Sequence, residues 1–167
     1  MANTLFLFTT SYPYGKGETF IENEIDVLNN EFEEVIILPF NCQGEARAIP
    51  KGVRILNVFD GYQYTGKKGF SAMAKAMKIL KFGSNQGNWI EGKKKERLSS
   101  ILRNIDRAKR LEQVLNTIPS FEQGVYYSYW LSEWALILSM LRKNALKDSK
   151  IVSRAHGFDL YDNRANL

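Results

Sequence analysis

Short apolar segments alternate along the chain with segments whose apolar residues recur every three or four positions. The short segments predict buried β-strands at residues 4–9, 34–40, 53–59, 124–130 and 150–156. The longer segments predict amphipathic helices near residues 19–32, 69–82, 94–117 and 131–141. Thr19 and Glu22 have the spacing of a capping box, which predicts where the first helix begins. The predicted inward-facing helical residues are Ile21, Ile25, Leu28, Phe32, Phe70, Met73, Met77, Leu80, Leu98, Ile101, Ile105, Ala108, Leu111, Leu115, Ile118, Leu131, Trp134, Leu138 and Leu141.

The alternation of strands and helices predicts an α/β fold. Because the strands are apolar on both faces, we expect a parallel sheet that helices cover on both sides. Ligands of such sheets bind outside the carboxyl ends of the strands, near a topological switch point. The loops that begin at Thr10, Asp60, Trp130 and His156 are therefore the places where we expect chemistry.

The composition is that of one globular domain. With 167 residues, of which 44% are hydrophobic, the chain can bury one sizeable core, and we expect a single domain over residues 1–167. The lone Cys42 has no partner for an intramolecular disulfide, and no apolar leader precedes the first strand, so we expect a cytoplasmic protein. No apolar run approaches the ~20 residues that a membrane span requires.

The net charge of +5 is concentrated in the middle of the chain. Residues 67–110 contain 13 basic and 3 acidic residues, whereas residues 1–66 contain 4 basic and 9 acidic ones. Two interpretations of the basic segment stay open: the solvated outer faces of two amphipathic helices, or peripheral contact with an anionic membrane surface. Nucleic acid is not an expected partner, because Trp89 is the only aromatic residue between these helices and no binding module is recognisable.

The loop after the first strand, TSYPYGKGET, has features of an anion-binding site. Free amides at a helix N-terminus attract phosphate, and Gly15 and Gly17 would let the backbone approach a ligand closely. Lys16 adds a positive charge between the two glycines. The alternative is a simple turn before a capped helix, with no ligand.

Nucleotide hydrolysis, metal binding and a catalytic triad all fit the chain poorly. The stretch GYQYTGKK has the spacing of a P-loop, but Lys68 stands where a hydroxyl should hold Mg²⁺. The single His156 has no second histidine or cysteine nearby, so no metal site is expected, and no serine lies in a nucleophile-elbow context. A hydrogen-bonding role remains for His156, with Gly157 allowing close approach of a ligand and Asp159 fixing the turn or binding a hydroxyl.

Three motifs resemble the N-terminal half of group-1 glycosyltransferases, the family-4 retaining enzymes of GT-B architecture. GETFIENEI follows the first strand, YSYW precedes the last predicted helix, and SRAHGFDLY closes the last strand. Gly17 replaces the serine that is common in the family. His156, Gly157, Asp159 and Tyr161 match its histidine, glycine, aspartate and aromatic signature. The resemblance runs through essentially the whole chain in the right order.

The resemblance implies a Rossmann-like three-layer sandwich with a mostly parallel sheet, the acceptor-side half of an enzyme whose nucleotide-sugar domain is absent from this chain. It implies retaining transfer of a sugar, without a metal or other cofactor, from a nucleoside-diphosphate sugar to a glycan or lipid-linked acceptor, as in bacterial cell-surface polysaccharide synthesis. His156 would be the catalytic-site residue that contacts the donor sugar, and Tyr129, Trp130 and Arg154 would line the acceptor pocket. The residues near the pyrophosphate or acceptor would be Gly15, Lys16, Gly17, Glu18 and Thr19.

This half of such an enzyme is expected to be inactive alone, because half a cleft cannot hold donor and acceptor in attack geometry. Two alternatives without catalysis stay open. One is a stand-alone flavodoxin-like binding module. The other is an adaptor that uses the basic helices to sit on the inner face of a membrane.

Overall fold

The fold alternates strands and helices around one parallel sheet. The computed structural model describes residues 4–64, 70–84, 94–119 and 121–156. In this part of the chain the strands are β1 (Thr4–Thr9), β2 (Glu34–Pro39), β3 (Val53–Ile55), β4 (Val125–Ser128) and β5 (Lys150–Ser153). The helices are α1 (Ile21–Glu31), α2 (Phe70–Ser84), α3 (Lys94–Leu115) and α4 (Glu133–Leu141).

The five strands lie in the order β3-β2-β1-β4-β5, and every described pair is parallel. The chain first adds strands on one side of β1 and then on the other, so the topological switch point lies between β1 and β4. The loops that leave these two strands diverge there and create a crevice at the carboxyl edge of the sheet. The predicted α/β fold with a parallel central sheet is confirmed, and its layers are those of a Rossmann-like sandwich.

The core lies on both faces of the sheet, and β1 contributes to each face. Phe6 and Phe8 pack toward α3 and α4, while Leu5 and Leu7 pack toward α1. All four side chains are buried because successive residues of a strand point to opposite faces, and helices cover both faces of β1. This explains why the strand is apolar at every position rather than at alternate ones.

Helices α2 and α3 form an outer layer on one side of the molecule. Ala76 of α2 packs with Leu102 and Ile105 of α3, and all three side chains are buried. Although α3 has 22 residues, neither it nor any other helix in the described ranges is long and apolar enough to cross a membrane.

Strand β3 is shorter than the apolar pattern predicts. It covers Val53–Ile55, whereas the prediction extended to residue 59. After Ile55 the amide of Leu56 still donates to Ile37 of β2, but the amide of Val58 then donates to the carbonyl of Leu56 in a tight turn. The remaining apolar residues of the segment therefore serve packing rather than strand pairing.

Three helix predictions are wrong in detail. Helix α1 begins at Ile21 without a side-chain cap, because Glu22 forms an ion pair with Arg47 instead of a capping box with Thr19. Met77 is 54% exposed, since α2 turns Ala76 toward α3 in its place. Leu131 is 46% exposed because it precedes the first residue of α4 and does not share its apolar stripe.

Gly124, immediately before β4, provides a test of the packing. A methyl group added there would lie 2.5 Å from Cε2 of Phe6, a buried ring in the central strand. We expect Gly124→Ala to lower the free energy of unfolding by about 1–3 kcal/mol, as overpacking of a core does. Chemical denaturation measures the change, and the exposed neighbour Gln123, changed to Ala, is the control. An unaltered stability of Gly124→Ala would contradict this placement of Phe6.

Candidate functional site

The residues with the richest chemistry meet at the switch point between β1 and β4. They come from the loop after β1, from the loop after β4, and from the residues that follow β5. We call this group the switch-point cluster, and its members are Glu18, Phe20, Tyr129, Trp130 and His156. The sheet positions it, because the three parallel strands β1, β4 and β5 all end at the same edge.

The carboxylate of Glu18 joins the two loops. Its oxygens accept hydrogen bonds from the backbone amides of Thr10 at 3.0 Å, Ser11 at 2.7 Å and Tyr12 at 2.8 Å. The indole Nε1 of Trp130 donates to the same carboxylate at 2.6 Å, across the crevice. Glu18 itself has a φ of +55°, which a side-chain-bearing residue adopts at a cost of ~1–2 kcal/mol, and the four hydrogen bonds offset this cost.

The amides at the start of α1 are also engaged within the chain. The amide of Ile21 donates to the carbonyl of Glu18, and the amide of Glu22 donates to that of Thr19, both at 3.1 Å. An external anion at this loop would therefore have to displace the Glu18 carboxylate or open the first turn of the helix. The amides of Thr10, Ser11, Tyr12, Ile21 and Glu22 already donate to acceptors within the chain. The anion site at residues 15–19 stays a prediction.

Arg47 holds the outer part of the same loop. Its Nε donates to the carbonyl of Pro13 at 3.2 Å, its Nη2 donates to the carbonyl of Gly17, and its Nη1 pairs with Glu22. Its guanidinium lies 4.9 Å from the ring centroid of Tyr12. Arg47 is not recognisable as a site residue from the sequence, because it lies in an irregular loop and its hydrogen-bond partners are 25 to 34 positions away.

The aromatic rings of the cluster lie against one another. The centroids of Trp130 and His156 are 4.1 Å apart, and those of Phe20 and Tyr129 are 5.3 Å apart. His156 Nε2 lies 3.1 Å from the backbone carbonyl oxygen of Tyr129. Because a carbonyl only accepts, Nε2 carries the proton, and this bond fixes the orientation of the imidazole. Phe20 is 40% exposed, so the cluster presents an apolar face to solvent.

A charged pair borders the aromatic rings. Arg154 donates to Glu24 and to the hydroxyl of Tyr129, and that hydroxyl donates in turn to Glu24, each at 2.8 Å. Burial, together with the bond to Glu24, raises the pKa of Tyr129, so the phenol stays protonated. Burial alone would raise the pKa of Glu24, but the bonds from Arg154 and Tyr129 outweigh it and hold that pKa below its ordinary value. The bond to Glu24 also raises the pKa of Arg154.

The structure brings some of the predicted site residues together and separates others. Glu18, Tyr129, Trp130, Arg154 and His156 form one connected group through the contacts above. Among the others, Gly15, Lys16 and Thr19 are exposed, and Gly17 contributes its carbonyl to Arg47. Gly157 and Asp159 lie outside the described residues, as do residues 65–68 of the stretch with P-loop spacing.

Glu24 is a further member of the site that sequence reasoning did not single out for chemistry. Its only local signal was its place five positions after Thr19 in the motif GETFIENEI. Within the described residues, no group of three or more histidine, cysteine, aspartate or glutamate side chains could hold a metal ion.

Comparison of the chain with protein-family models, with curated proteins and with solved structures gave no match. The resemblance to glycosyltransferases therefore stays a prediction.

The role of Glu18 can be tested by a change of one atom. Both carboxylate oxygens face N–H donors, so in Glu18→Gln the NH₂ group meets a donor in either orientation of the amide. We expect this variant to lose about 1–3 kcal/mol of unfolding free energy, as measured by chemical denaturation. Glu31→Gln, at the exposed end of α1, removes the same charge and should change stability by less than ~0.5 kcal/mol. Equal stability of the two variants would show that the carboxylate does not hold the loops.

Proposed function

We propose that the chain is the acceptor-side, N-terminal domain of a retaining glycosyltransferase of GT-B type. The enzyme would transfer a sugar from a nucleoside-diphosphate sugar to a glycan or lipid-linked acceptor. The observation that carries the proposal is the convergence of the three motifs on which the resemblance depends. Glu18, Trp130 and His156 each come from a different motif, and they are in contact although 112 positions separate the first two. A parallel sheet brings the loops that follow its strands to one edge, and the direct contacts of Trp130 with Glu18 and His156 at that edge are what support the resemblance.

The chemistry of the switch-point cluster suits a sugar. Sugar rings present C–H faces that pack on aromatic rings, and they present hydroxyls that bond to charged groups. Phe20 and Trp130 supply aromatic faces, while Arg154 and Glu24 supply a cation and a carboxylate beside them. Binding sites for small molecules combine such apolar walls with a few well-placed polar groups.

Each residue of the cluster has a distinct role in this proposal. His156 packs beside the donor sugar, in the orientation set by its bond to the carbonyl of Tyr129. Glu18 is a positioning residue, which acts through Trp130 and through the loop after β1. The diphosphate of the donor would be held mainly by the second domain, because the nearest amides of this domain already bind Glu18.

A cytoplasmic location and peripheral contact with an anionic membrane belong to the same proposal. The described lysines of the basic segment 67–110 include Lys75 and Lys78 on α2 and Lys109 on α3, and all three are exposed. Exposed cations on an outer helical layer are what attraction to anionic lipid requires.

A stand-alone binding module without catalysis is the second candidate. Glu18 favours this second candidate, because its carboxylate already accepts from the backbone amides of the loop after β1. A module that binds a neutral ligand needs no pyrophosphate site at that loop. The two candidates differ in whether a glycosidic bond is formed.

Turnover by the full-length gene product separates these candidates. We expect release of a nucleoside diphosphate from at least one nucleotide sugar when an acceptor is present, and no transfer by residues 1–167 alone. His156→Ala should lower turnover by about tenfold or more through the lost contact to the sugar, with little change in melting temperature. Lys143→Ala, exposed after α4, is the control. A lowered melting temperature with normal turnover would make His156 structural, and transfer by this chain alone would refute the two-domain account.

A further inference from the structure

A half-buried arginine lies on the other side of β1 from the switch-point cluster. The guanidinium of Arg107, on α3, lies 4.6 Å from the ring centroid of Phe40 and 6.0 Å from that of Phe59. Phe40 directly follows β2, and Phe59 lies in the loop after β3. Arg107 is therefore at the carboxyl edge of the sheet, where ligands of parallel sheets bind.

Arg107 has few polar partners for a guanidinium that is partly removed from water. Within the described residues its side chain makes one hydrogen bond, from Nη1 to Oδ1 of Asn104 at 3.0 Å. Its Nε is buried and has no acceptor. No described carboxylate lies within 4.0 Å of the Arg107 nitrogens. Three other arginines do have a carboxylate oxygen within 2.8 Å: Arg47, Arg54 and Arg154.

Such an environment is unfavourable for a cation unless an anion completes it. Partial burial of a charge costs free energy, and stacking on aromatic rings compensates only part of that cost. A planar guanidinium with unengaged N–H groups matches two oxygens of an oxyanion. Burial is the largest cause that lowers the pKa of Arg107, and the positive charge of Arg103 is the next. Arg103 lies one helical turn away on α3, so it is a second cation near Arg107.

The described acidic side chains nearby do not form an ion pair with Arg107. The carboxylate of Asp106 accepts a hydrogen bond from the hydroxyl of Tyr62. Glu133, in the first turn of α4, acts on Arg107 only through space, from beyond ion-pair distance. Arg103 is exposed one helical turn before Arg107, and the side chain of Arg107 is itself partly accessible.

We propose that Arg107, together with Arg103, binds a phosphate group carried by a soluble phosphorylated compound or by a lipid headgroup. A phosphate is favoured over a carboxylate, because it can carry two negative charges to the two cations. The site uses residues outside the switch-point cluster. It therefore stands or fails independently of the proposed sugar transfer.

The test uses the chain of residues 1–167 at constant ionic strength. Binding of inorganic phosphate is measured by calorimetry, and binding of phosphatidylcholine vesicles that contain phosphatidic acid is measured by flotation. We expect Arg107→Gln to weaken binding by about tenfold or more, because a charge-assisted pair is lost. Lys143→Gln removes the same charge from an exposed position outside the basic segment and should leave binding within about twofold of the parent.

Each result supports or overturns the proposal. Arg107-dependent binding of phosphate alone identifies a soluble ligand, and Arg107-dependent binding of vesicles alone identifies a lipid headgroup. If Arg107→Gln does not fold, as judged by circular dichroism, the exposed Arg103→Gln replaces it and should also weaken binding. Absence of binding to either probe, or equal losses in Arg107→Gln and Lys143→Gln, would overturn the site and leave only diffuse positive charge.

Discussion

The carboxylate of Glu18 is the constraint on which the ligand-binding edge of this sheet depends. Loops that diverge from adjacent strands at a switch point leave a crevice, and their backbone donors need acceptors. Glu18 accepts from the amides of three consecutive residues after β1 and from the indole of Trp130 beyond the crevice. One side chain therefore sets the shape of the first loop and its distance from the second. The position of His156 follows, since its ring lies on Trp130.

This internal acceptor changes where ligand chemistry can occur. In a sheet of this kind the loop after β1 can bind an anion. Here the amides of Thr10, Ser11 and Tyr12 already donate to Glu18, and an anion site at residues 15–19 stays a prediction. Aromatic and hydrogen-bonding groups dominate on the β4 and β5 side, which fits the proposed sugar. The half-buried cation Arg107 lies on the β2 and β3 side, which fits the proposed phosphate. The proposed transferase and the proposed phosphate site thus use opposite halves of one edge.

The fold was predictable from the sequence because its signals are local and repeated. The bounds of β1 agree with its apolar run, since a strand that is buried on both faces must be apolar throughout. The failures arise from long-range contacts. Glu22 has capping-box spacing, yet Arg47 takes its carboxylate, and the apolar residues after Ile55 pack into the core instead of extending β3. Glu18 and His156 were named from motifs, but the bonds that define their roles connect distant residues, which no local pattern encodes.

Amide hydrogen exchange, followed by NMR, tests the central claim most directly. The account predicts that the amides of Ser11 and Tyr12 exchange slowly in the parent protein, because a carboxylate accepts both. In Glu18→Ala these two amides should exchange much faster, while the amide of Phe40, which donates to the carbonyl of Thr9, keeps its protection. Fast exchange of Ser11 and Tyr12 in the parent protein, or unchanged protection in the variant, would contradict the claim that Glu18 organises this edge.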